Sequence, residues 1–346
     1  MPPRAGKLGF ACNDVVNEVQ PVTSIGLVLS AGGMHAAAFH AGVLAAVSET
    51  TGWDPRTADV IVGTSAGATT AVSLRAGLGA MDLAANCTGT PLSIEGQGIM
   101  ERVTTRLDIP RQADRANIWR PANPILILRE LLSLKRPRPV VAIAGALPMG
   151  TVPGETIAER VNQAHPSPWP VDATWICAVD LDSGKRVVFG RDDVDARIGE
   201  AVHASSAVPG HLTPVAINGN RYVDGGSHST TNADLLSTLG LDLVVVSSSM
   251  TAVPSASAWP YGPIGRAWHS RTLRHEIQAI RSRNTHTLVV QPSIIDLGIR
   301  KGDDMGRFSM ADICKEASLS TRACLAHPRS TTARSLLEQA VQDASR

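Results

Sequence analysis

Two consecutive units, each an apolar run, a turn of small residues and an alanine-rich stretch, open this chain and leave few folds available to it. The first runs from Ile25 to Leu29, turns through Ser30-Ala31-Gly32-Gly33 and continues from Ala36 to Val47. The second has Asp59-Val60-Ile61-Val62, a turn from Gly63 to Gly67, and an apolar stretch from Ala68 to Leu78. Short apolar runs without polar alternation suit strands buried on both faces of a parallel sheet, and the alanine-rich stretches suit helices. Strand, turn and helix repeated twice predict a doubly wound α/β fold: three α/β/α layers around a mostly parallel central sheet.

Further along, Thr174–Val179 and Lys185–Phe189 read as strands joined by Asp182-Ser183-Gly184, a tight-turn sequence that predicts a hairpin. A helix over Val194–His203, a strand at Arg221–Val223, a helix over Asn232–Leu239 and a strand at Leu243–Val246 continue the rhythm. The last helix and strand of this series read as Arg266–Arg283 and Thr287–Val290. Between about residues 88 and 170 eleven prolines interrupt the pattern, predicting an insertion over the sheet. Its apolar stretches Ile125–Leu134 and Val140–Leu147 either cap a site or complete the core. The chain therefore divides into a flexible N-terminal arm (1–20), a main domain (21–300) and a helical C-terminal extension (301–346).

Composition narrows the function. Of the 346 residues 43% are hydrophobic and 18% charged, enough for a substantial core. A formal net charge of +1 and 3% aromatics give neither an electrostatic drive towards nucleic acid nor platforms for stacking bases. The five cysteines, Cys12, Cys87, Cys177, Cys314 and Cys324, show no C-x-x-C spacing and read as reduced thiols. The first twenty residues lack the apolar core of a secretory signal, and no run is long enough to span a bilayer. A cytoplasmic protein, with peripheral membrane contact open to it, is the expectation. Nothing in the chain specifies an oligomeric state, and no residue pattern calls for a metal or cofactor.

Gly63-Thr64-Ser65-Ala66-Gly67 has the form G-x-S-x-G and sits where a strand turns into a helix, the setting that exposes a nucleophilic serine. A serine that attacks an acyl group also needs backbone N–H donors for the oxyanion, and Gly32 and Gly33 let the chain approach closely enough to supply them. In a parallel sheet both turns emerge at the same edge. A dinucleotide loop is disfavoured, because no G-x-G-x-x-G is present.

Together with Ala204-Ser205-Ser206-Ala207-Val208-Pro209 and the Asp224-Gly225-Gly226 turn, these segments resemble the patatin-like phospholipases, particularly bacterial members, over about residues 24–250. The resemblance implies a patatin-like fold and hydrolysis of lipid or other acyl esters without a cofactor. It implies Ser65 as nucleophile, Asp224 as base, and Gly32, Gly33 and Met34 at the oxyanion hole, with His35, Gly63, Gly67, Gly225 and Gly226 in support. The family favours G-G-G-x-R-G, whereas this chain has Ala31, His35 and Ala36 at three of those places. A Cβ at the alanines restricts positive φ, and an imidazole replaces a permanently charged fork.

Two alternatives stay open. One is a non-catalytic lipid-binding or regulatory protein on the same fold; the other is a Ser-His-Asp hydrolase using His203, His211, His228, His269, His275 or His286. The arginines at 266, 271, 274, 281 and 283 suit either anionic lipid headgroups or a solvated helix face.

Overall fold

The structure is a computed structural model. It describes residues 22–105, 123, 146–147, 150–253, 263–302 and 309–346. The N-terminal arm and the apolar stretches at 125–134 and 140–147 lie outside these, apart from Ala146 and Leu147.

Strand β1 (Ile25–Leu29) is flanked in parallel by β2 (Val60–Thr64) and β7 (Leu243–Ser247), and all fifteen of their residues are buried. The sheet extends in parallel to β3 (Ala173–Asp180) on one side and β8 (His286–Val290) on the other. Beyond β3 it turns antiparallel, through β6 (Asn220–Asp224) and β5 (Val215–Ile217), while β4 (Arg186–Phe189) also pairs with β3. This is the mostly parallel sheet that the apolar runs predicted, and the β3–β4 hairpin forms as its turn sequence required.

Because successive strand residues face opposite ways, each strand feeds two layers. Leu27, Leu29 and Ile61 pack with Phe39, Val43 and Leu44 of α1 (Gly33–Thr51) and with Ala71 and Leu74 of α2 (Ala66–Arg75). Val28, Val60 and Val62 face the other way, in a cluster with Leu273, Ile277 and Ile280 of the long helix Pro263–Arg281. Helix α1 ends at Gly52, whose left-handed φ of 76° lets its N–H bond the Ser48 carbonyl.

The described parts of the proline-rich stretch hold two helices. After α3 (Ala80–Thr88) it contains α4 (Ile94–Arg102) and α5 (Glu155–Ala164), and α5 lies against α6 (Ile198–Ser206) so closely that a Cβ at Gly199 would sit 2.4 Å from the Ala158 carbonyl. The predicted helix over Asn232–Leu239 is instead a 3-10 helix, Ala233–Thr238, entered from a left-handed Asn232. Numbering Pro263–Arg281 as α7, the chain closes with α8 (Ile294–Gly302), α9 (Met310–Ala326) and α10 (Thr331–Ala344). Helix α9 packs along α1, where a Cβ at Gly42 would lie 2.1 Å from the Cys314 carbonyl.

Candidate active site at the strand ends

The parallel pairing of β1 with β2 brings the two sequence turns side by side. Ser65 follows β2 with φ 54° and ψ −117°, a sharp positive-φ elbow before α2, and is 6% exposed. Such a conformation costs a non-glycine residue of the order of 1–3 kcal/mol and is retained only where its surroundings impose it. Here they do. The Ser205 hydroxyl, at the end of α6, accepts the Ser65 N–H at 2.9 Å and donates to the Cys177 carbonyl at 2.6 Å. Gly67 fits because it has no side chain: a Cβ there would lie 2.0 Å from the Leu29 carbonyl. Gly63 is equally confined, 2.6 Å from the Ala68 Cα by the same measure.

Asp224 ends β6, opposite Ala178, and is likewise 6% exposed. Its backbone N–H bonds the Ala207 carbonyl at 2.9 Å, and its Oδ1 accepts the Gly226 N–H at 2.7 Å. The Ser65 side chain lies near enough to its carboxylate to lower the Asp224 pKa. Burial pushes the Asp224 pKa up to about 6, and the Ser65 side chain and the Gly226 N–H pull against that rise. Gly225 backs the turn against the Cys177 carbonyl, where a Cβ would lie at 2.2 Å. A Cβ at Gly226 would come 3.4 Å from that of Ala31, so the aspartate turn abuts the glycine loop.

That loop takes its shape at Gly32 and Gly33, with φ of 139° and 63°. A Cβ at Gly32 would meet the Ser249 hydroxyl at 2.6 Å, whereas the space beside Gly33 is open. Neither Ala31 nor Ala36 adopts positive φ, so the Cβ restriction expected of the alanines falls where it costs nothing. Gly33, Met34 and His35 form the first turn of α1, whose leading N–H groups have no acceptor within the helix and carry its positive dipole end. Met34 is 67% exposed and His35 half-buried.

The histidine with a defined structural part is His40, which sequence reasoning passed over. Buried in α1, its Nε2 donates to the Ser30 carbonyl at 2.8 Å, leaving Nδ1 to accept the Ser247 hydroxyl at 2.7 Å. It thereby ties the ends of β1 and β7. Ser205, Asn232 and Glu276 were also missed as site residues. Ser205 lay inside a quoted motif; Asn232 and Glu276 carry no local signature. Two residues of α7 brace the loops: Arg266 donates to the Ser249 and Thr251 carbonyls, at 3.3 and 2.8 Å, and Glu276 holds the loop before the 3-10 helix. Arg281 donates to the Thr287 hydroxyl at 2.7 Å, so the arginines of this helix do not form one uniform solvated row.

Three of the downstream histidines have settings of their own. His203 packs against Gly154, where a Cβ would come 2.6 Å from its Nε2, and burial lowers its pKa. His228 and His275 line a groove of about 950 Å³ along α7, together with Trp268 and Arg271. Among the described residues the Gly226 N–H bonds the Asp224 carboxylate, and no imidazole contributes to the shift of its pKa. Among the described residues no group of three or more His, Cys, Asp or Glu is arranged to hold a metal ion, and no helix is long and apolar enough to cross a membrane.

A strand-turn-helix serine over the mostly parallel sheet, with a glycine loop beside it and helices on both faces, defines a three-layer α/β/α protein with a serine elbow at its strand ends. Residues 27–237 match the family described as patatin-like phospholipase, and the chain belongs to that family. Membership places it, at family level, among the lipid acyl hydrolases. A comparison with curated proteins gives no match.

Proposed function

We propose that the protein hydrolyses ester bonds of lipid or similar acyl substrates through a Ser65–Asp224 dyad. The observation that carries this reading is the pairing of Ser65, held in a positive-φ elbow, with the buried Asp224 carboxylate, whose pKa the Ser65 side chain pulls down against burial. Ionised, Asp224 takes the Ser65 proton as Oγ attacks the acyl carbon; the carbonyl π electrons move onto oxygen, giving a tetrahedral oxyanion. The N–H groups at Gly32, Gly33 and Met34, at the positive end of α1, steady that charge. Collapse expels the alcohol, which takes the proton from Asp224 and leaves an acyl-Ser65. Water then attacks the acyl-enzyme with Asp224 again as base; the acid departs and Oγ recovers its proton.

A carboxylate is a stronger base for neutral-pH chemistry when its pKa is raised, and burial supplies that rise here. The apolar surface suits an acyl chain. Met34 is exposed beside Gly33, and Val208, 44% exposed, follows Ala207, whose carbonyl holds the Asp224 amide. Hydrolysis of short and long acyl esters, compared between wild type, Ser65→Ala and an alanine substitution at each downstream histidine, tests the proposal. The dyad requires loss with Ser65→Ala and retention of most activity in every histidine variant. A histidine variant as inactive as Ser65→Ala would instead restore a three-residue triad.

A further inference from the structure

One buried carboxylate outside the proposed dyad is bonded in a way that reaches both halves of the site. Glu276, 6% exposed on α7, accepts three hydrogen bonds from one loop: from the Ser229 hydroxyl at 2.6 Å, the Thr231 hydroxyl at 2.5 Å and the Ala233 N–H at 3.1 Å. The loop spends its own polar groups on the site. The Thr230 carbonyl accepts the Ala31 N–H at 2.8 Å, fixing the residue before Gly32. The Asn232 side chain, held in left-handed backbone with φ 53°, donates from Nδ2 to the Thr64 hydroxyl at 3.1 Å, immediately before Ser65. Arg186 of β4 steadies the same amide through its Oδ1, at 3.2 Å.

We infer that Glu276 is a positioning residue, which through the 229–233 loop holds the Gly32–Gly33 turn and the Ser65 elbow in their relative places. The inference rests on the Ser65 reading of the site. Its chemistry requires a carboxylate in the ionised form, because all three partners donate. Glutamine has nearly the same shape and fails either way round. Placed towards Ser229, its nitrogen meets a hydroxyl whose lone pairs already accept the Thr231 and Asn232 amides, at 3.2 and 3.1 Å. Turned over, it opposes the Ala233 N–H. A site whose parts are misplaced by fractions of an ångström loses turnover more than substrate binding.

Protonation should loosen the same clamp. Burial and the nearby Asp234 push the Glu276 pKa up to about 7, against the three hydrogen bonds. The other charged or titratable groups facing it are Arg186 from β4, His228 ahead of the loop, and Arg271 and His275 along the groove on α7. If Glu276 and Asp224 must both be ionised, kcat/KM falls on the acid side with the second power of proton concentration. With glutamine at 276 it falls with the first power, because only Asp224 still titrates there.

The test measures the rate at which a fluorophosphonate labels Ser65, together with kcat, KM and the acid-limb slope on a short acyl ester. Wild type, Glu276→Gln, Thr64→Val and the double variant are compared. The valine removes the acceptor on the elbow without touching the loop, so it carries the test by itself if Glu276→Gln does not fold. We expect Glu276→Gln to label and turn over at least tenfold more slowly with KM changed less than threefold, and its acid limb to drop to a single proton. Thr64→Val should lose several-fold, and the double variant less than the product of the two single losses. Wild-type labelling rates in a folded Glu276→Gln, an unchanged acid limb, an unimpaired Thr64→Val, or losses that simply multiply would overturn the inference. Wild type that fails to label at Ser65 would overturn the reading beneath it, a result distinct from all of these.

Discussion

The hydroxyl of Ser205 is the partner of the Ser65 backbone amide, at 2.9 Å, and the same oxygen donates to the Cys177 carbonyl of β3. One side chain from the end of α6 therefore holds the strained elbow against the strand next to it. Removing it leaves two buried backbone groups without partners, each a loss of the order of 1–3 kcal/mol. Ser205→Ala should lower the melting temperature by several degrees. It should also reduce kcat/KM more than tenfold, because the positive φ at Ser65 is no longer imposed. An unchanged melting temperature, read by circular dichroism beside ester hydrolysis, would show that α2 alone maintains the elbow.

Asp224 gives a pH signature with two parts. Activity should rise with pH through about 6, as the buried base ionises. Stability runs the other way. The folded-state pKa lies above the ordinary value of 3.8, so this group's contribution to stability is full below 3.8 and is lost as pH rises through about 6. Asp224→Asn should therefore be almost inactive and, at pH 8, at least as thermally stable as wild type. A variant that melts well below wild type at pH 8 would mean that the ionised form is favoured by the fold.

His35 stands in the first turn of α1, beside the positive φ of Gly33. His35→Arg should raise kcat/KM several-fold, since a permanent charge near the oxyanion adds roughly 1 kcal/mol of transition-state stabilisation. The same charge opposes the helix dipole, at about 0.3–1 kcal/mol. The expected variant is thus faster and slightly less stable, and the gain should lie in kcat. Equal or lower kcat in a well-folded protein would refute this part for residue 35.

The parts of this protein visible in its sequence are those set by local rules. Unbroken apolar runs placed β1, β2 and β7, strands buried on both faces, and the shorter apolar run Leu288–Val290 placed the edge strand β8, while Gly63 to Gly67 placed the elbow. The misses have equally local causes. Strand β5 is three residues long, and its signal was the Asn218-Gly219 turn, with φ of 52° and 82°, which pairs it with β6. The 3-10 helix at 233–238 has a helical composition, but Asn232 enters it left-handed, held there by bonds to Thr64 and Ser229. Those bonds span 168 residues in one case and three in the other, and only the fold reveals the longer one. Glu276 was hidden for the same reason: a single acid on an arginine-rich helix shows its importance only once the 229–233 loop is seen to rest on it.

The central claim is that Ser65 is the nucleophile, and mass-spectrometric peptide mapping after fluorophosphonate treatment tests it most directly. One adduct is expected, on the peptide containing Ser65, in wild type, and none in Ser65→Ala, with hydrolysis of short acyl esters lost in parallel. An adduct on another residue, with hydrolysis undiminished in Ser65→Ala, would contradict it.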